Sequence, residues 1–119
     1  MEDGFSLDKH KYDERLLKLT FQQIEKDFAQ SGFEFKLNEL VEISFDKIAQ
    51  VLVPCIAELL NKNYQAFLNL LYRIDLNESK IKSEVTAHKE MQFELILAEM
   101  IIKRELQKVV IKEFYKNKL

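Results

Sequence analysis

The chain has 119 residues, with 18 Lys and Arg against 20 Asp and Glu, one Cys, one Pro, two Gly and no Trp. So few turn formers exclude sandwiches, barrels and propellers, while 47% apolar content in a chain near the modal domain size supplies one core. A lone Cys closes no intramolecular disulfide, and Gly4 and Gly32, far apart, write neither a P-loop nor a dinucleotide fingerprint.

Residues 1–10 read as a polar, frayed lead-in, acidic where a signal peptide is basic. From about Tyr12, the residues Leu17, Phe21, Ile24 and Phe28 recur at helical spacing. Gly32 can end that helix in the left-handed conformation, with Phe33 folding back onto its last turn. Phe33-Glu34-Phe35-Lys36-Leu37 alternates with period two, and a lone strand has no partner, so this stretch reads as an extended connector pinning two Phe rings to the core.

Ser44 offers an N-cap hydroxyl with Asp46 in the first turn, followed by Ile48, Leu52, Ile56, Leu59 and Leu60 on one face. Pro54 falls inside this helix and should kink it, or break it and restart it. Asn63 caps a third helix that buries Phe67, Leu70, Leu71 and Ile74. Asp75-Leu76-Asn77-Glu78 has the spacing of a capping box with Asp75 at the cap, opening a short helix that carries Ile81 and Val85.

The stretch from about Glu90 to Lys116 contains no Gly or Pro and spans about 40 Å as a helix at ~1.5 Å per residue. Its middle, Leu95 to Ile102, is interrupted only by Glu99. A helix apolar all round must be covered all round, by the other helices or by a second subunit in a two-fold homodimer. The longest apolar run elsewhere, Val51 to Ala57, is far short of the ~20 residues of a membrane span.

Around Asn63 to Asp75, and again at Glu105-Leu106-Gln107-Lys108-Val109, the chain resembles small all-helical bacterial proteins. The resemblance implies helices and brings no activity or ligand. The expected fold is therefore all-α, a single-domain bundle of four or five helices over 1–119 with a long C-terminal helix.

Chemistry-bearing residues are few. His10 and His88 lie far apart, and Glu84 with His88 makes an i,i+4 surface pair where a di-iron bundle requires Glu-x-x-His. Neither metal nor cofactor is expected. Cys55 sits in an apolar run with no neighbouring base, as a buried inert thiol does. Tyr72, Arg73 and Asp75 form the most individual string. They read as an anion grip or, structurally, as a cation at one helix end beside a cap for the next.

Arg104, Lys108, Lys112 and Lys116 recur at i+4 steps, a basic stripe with Tyr115 near its end. A nucleic-acid binder would lay that stripe along phosphates. The first half of the chain is acidic, and Glu105 and Glu113 interrupt the patch, so a solvated helix end explains the same residues. The expected function is a non-enzymatic protein-interaction or assembly module of the cytoplasm, its partner an unknown protein or a second copy. Nucleic-acid binding through the stripe is the alternative, and a ligand cavity lined by Phe rings ranks below it.

Overall fold

The computed structural model describes residues 10–33 and 42–118, with side chains as far as 116. Its five helices are α1 (Glu14–Gln30), α2 (Phe45–Lys62), α3 (Tyr64–Ile74), α4 (Glu78–Ala87) and α5 (Phe93–Lys118), and no strand forms among the described residues. The all-α bundle with a long C-terminal helix is thus what the sequence pattern predicts. Most of the expected connector, 34–37, and most of the lead-in, 1–9, lie outside the described residues, as do 38–41.

The caps follow local chemistry. Asp13 opens α1, its carboxylate accepting from Leu16 N–H at 3.2 Å, and Ser44 opens α2 by accepting from Lys47 N–H at 3.1 Å. Asn63 opens α3 in the same way through Ala66 N–H at 3.1 Å. At the end of α1, Gly32 adopts φ 98°, and Phe33 N–H donates to the Phe28 carbonyl at 2.9 Å. This left-handed closure also sets the two rings edge to face, with centroids 6.2 Å apart.

Two expectations are corrected. Of the two outcomes expected at Pro54, a kink or a break and restart, the break does not occur: α2 runs on through it, because Pro54 lies on the exposed side, where the carbonyl one turn earlier that loses its donor can be hydrated. Asp75 does not cap α4. It occupies the left-handed slot at the end of α3, with φ 72° and ψ 50°, whereas an N-cap requires extended backbone. Asn77, two residues on, is extended at φ −97° and ψ 156°, and its side-chain oxygen accepts from Lys80 N–H at 2.8 Å.

Helix α5 packs against all four other helices. Ile96, Leu97, Ala98, Ile101, Ile102 and Leu106 are buried along its length. The apolar middle that suggested a second subunit is therefore covered within one chain. Helices α1 and α5 run antiparallel: Arg15 pairs with Glu113 at 3.2 Å, and Asp27, further along α1, meets Glu105, further back on α5. Near the Arg15 end, Leu16 joins Leu106, Val109 and Val110 in a second, smaller apolar cluster. No helix among the described residues is long and apolar enough to cross a membrane.

Candidate functional site

The end of α3 is where the candidate polar residues fall, and the structure separates the string that the sequence presents together. Tyr72 is 89% exposed. Arg73 reaches α1, donating to Gln30 Oε1 at 2.8 Å. Asp75 instead accepts from Arg104 of α5, Nη2 to Oδ2 at 3.0 Å. Tyr72, Arg73 and Asp75 thus build no common grip: two of them fasten α3 to two different helices.

The basic stripe divides in two. Arg104 also gives Nε to the Ile74 carbonyl at 3.3 Å and Nη1 to Gln107 Oε1 at 2.8 Å. Lys108 brings Nζ to the same Ile74 carbonyl at 3.3 Å. Two cations therefore sit on the last carbonyl of α3, at the negative end of its dipole, and satisfy a group the helix leaves open. Lys112 and Lys116 stay exposed.

Between α1 and α5 lies a pair of acids that sequence reasoning passes over. Glu105 is 0% exposed and Asp27 4% exposed, and their carboxyls face each other at hydrogen-bonding range. Gln23 Nε2 donates to Asp27 Oδ1 at 3.2 Å. Lys108 Nζ stands 3.3 Å from Glu105 Oε1, an ion-pair separation without hydrogen-bond alignment. Asp27 Oδ2 and both Glu105 oxygens have no aligned donor among the described residues. Burial, then the facing Asp27 carboxyl, push the Glu105 pKa up to about 8, and Lys108 pulls the other way.

A third feature is apolar. Ile111, Phe114 and Tyr115 occupy i, i+3 and i+4 on the outer face of the last turns of α5, and all three are exposed. Lys112 and Lys116 border this strip. The Phe114 and Tyr115 rings meet edge to face at 5.6 Å.

Other candidates hold less chemistry. His88 Nε2 lies 3.6 Å from Glu84 Oε1 at the surface, and no group of three or more His, Cys, Asp or Glu among the described residues is placed to hold a metal ion. Cys55 is half-buried, its thiol directed at the Val51 carbonyl at 3.4 Å and its pKa raised by desolvation and by Glu58. An open cleft of about 280 Å³ lies between Tyr12, Phe45 and Asp46, with Lys11 Nζ 4.8 Å above the Phe45 ring. It collects none of the other candidate residues.

The fold is an all-α bundle built around its C-terminal helix. Comparison of the chain with family models, with curated proteins and with solved structures yields no match.

Proposed function

We propose that the chain is a non-enzymatic interaction module that binds another protein on the outer face of the end of α5. The observation that carries this reading is the strip of Ile111, Phe114 and Tyr115, three large apolar side chains that stand exposed on one face of α5. Aromatic anchors of this kind supply much of the energy of protein interfaces. Lys112 and Lys116 at its border favour a partner whose apolar contact residues are rimmed by acids. The free thiol of Cys55 suits a reducing compartment, so we place the module in the cytoplasm.

The nucleic-acid reading loses support because Arg104 and Lys108 are engaged at the end of α3, which leaves two cations of the four-residue stripe for phosphates. The test is affinity capture with the wild-type chain and with an Ile111→Ser/Phe114→Ser variant, followed by sedimentation of the purified pair. Loss of the partner from a variant that keeps its helical circular dichroism supports the reading. Equal retention overturns it, and self-association of the wild type alone identifies the partner as a second copy. Salt-sensitive binding of a labelled single strand, lost in Lys112→Gln/Lys116→Gln, would move the protein to the nucleic-acid class.

A further inference from the structure

We infer that Asp27 and Glu105 share one proton across the seam between α1 and α5, and that this proton acts as a latch which acid tightens and alkali loosens. The geometry demands a donor between them. Two facing carboxylates offer only acceptors, and Asp27 Oδ2 and both oxygens of Glu105 lack any other aligned donor among the described residues. A carboxylic O–H on Glu105, directed at Asp27, satisfies both groups at once.

Charge counting gives the same result. From α1 the facing groups are Asp27 and the amide of Gln23 at 3.2 Å. From α5 comes Lys108, whose ammonium is divided between Glu105 and the Ile74 carbonyl, each at 3.3 Å. The end of α3 contributes that carbonyl, while its own charges are engaged elsewhere, Asp75 by Arg104 and Arg73 by Gln30. Among the described residues, Asp27 and Lys108 are the charged groups that act on Glu105. One ammonium balances one carboxylate, and a second carboxylate would stand uncompensated where both acids are buried. A proton on Glu105 removes that excess negative charge from the cluster.

The direction of the switch follows from the two ends of the titration. Closed, Glu105 keeps its proton up to about pH 8; opened to water, it ionises near the ordinary 4.5. Opening therefore releases a proton between these values, and the opening constant grows by up to about tenfold per pH unit. The seam is tightest below the lower value and stops loosening above the higher one. What opens is the face of α1 that carries Leu17, Phe21, Ile24 and Phe28.

Two measurements test the latch. In protein labelled with ¹³C at glutamate carboxyls, the Glu105 resonance should titrate with a midpoint near 8, away from the other glutamates. Amide exchange in α1, corrected for intrinsic chemistry, should accelerate by roughly tenfold per unit between pH 6 and 8 in the wild type. It should stay level in Glu105→Gln, whose carboxamide donates to Asp27 at every pH. A Glu105 midpoint below 6, or the same pH slope in the variant, overturns the inference. Should Glu105→Gln fail to fold, the wild-type carboxyl titration decides alone.

Discussion

Arg104 of α5 reaches back across 29 residues of sequence to Asp75, holding its carboxylate at 3.0 Å in the left-handed slot that ends α3. The same guanidinium binds the carbonyl of Ile74, the residue before it. One side chain thus closes the terminus of a neighbouring helix from outside, and Asp75 combines an unusual backbone conformation with a tether.

These two roles separate by mutation. The Asp75 side chain is 81% exposed, so its ion pair contributes no more than about 1 kcal/mol. The left-handed backbone weighs more. Asp75→Gly, which loses the pair and relieves the backbone, should change stability by less than about 1 kcal/mol, whereas Asp75→Val should cost ~1–3 kcal/mol. Urea denaturation of both variants distinguishes the contributions. Equal losses would mean that the tether, not the backbone, governs this position.

Leu97 is fully buried in the main apolar cluster, near the N-terminal end of the helix that touches all the others. Leu97→Ala should lower the unfolding free energy by ~2–5 kcal/mol through lost transfer energy and the cavity left behind. A loss under about 1 kcal/mol in a denaturant series would show that the bundle collapses around the gap.

Pro54 interrupts the hydrogen-bond ladder of α2 on its exposed side, so replacing it leaves no hole in the core. Pro54→Ala restores a backbone donor to the carbonyl one turn earlier. It also loosens the unfolded chain, which offsets part of the gain. The expected net change is a stabilisation of ~1–2 kcal/mol, read as a higher thermal midpoint. An unchanged or lower midpoint would show that the helix accommodates the proline at no cost.

Helix faces were legible in the sequence wherever the apolar period was unbroken. Leu17, Phe21, Ile24 and Phe28 fall on the buried side of α1 as their spacing predicts, as do Phe67, Leu70, Leu71 and Ile74 on α3. Ser44 and Asn63 were legible as caps in the sequence, and each does accept from the backbone N–H three residues on. Asp75 and Asn77 were not, since two competent caps stand two residues apart and the backbone decides between them. The stripe's spacing was readable, but its division was not, because the carbonyl that engages Arg104 and Lys108 belongs to another helix. Glu105 was hidden by its basic neighbours. Its signal was positional: it stands at i+4 from Ile101, i+3 from Ile102 and i−4 from Val109, inside the buried stripe. Asp27 carries the same mark, three residues after Ile24 and beside Phe28.

The placement of α5 at the centre of the bundle bears on how the chain is made. Synthesis runs from α1 to α5 at roughly 5–20 residues per second, so four amphipathic helices leave the ribosome before the surface that covers them exists. Leu17, Phe21, Ile24 and Phe28 pack on a core that closes only after the polymerising chain has passed Ile102. Packing α1 onto α5 then closes a loop as long as most of the molecule, which slows the last step of assembly. For the seconds in between, the apolar faces of the first four helices stand open to water, without the surface that later buries them.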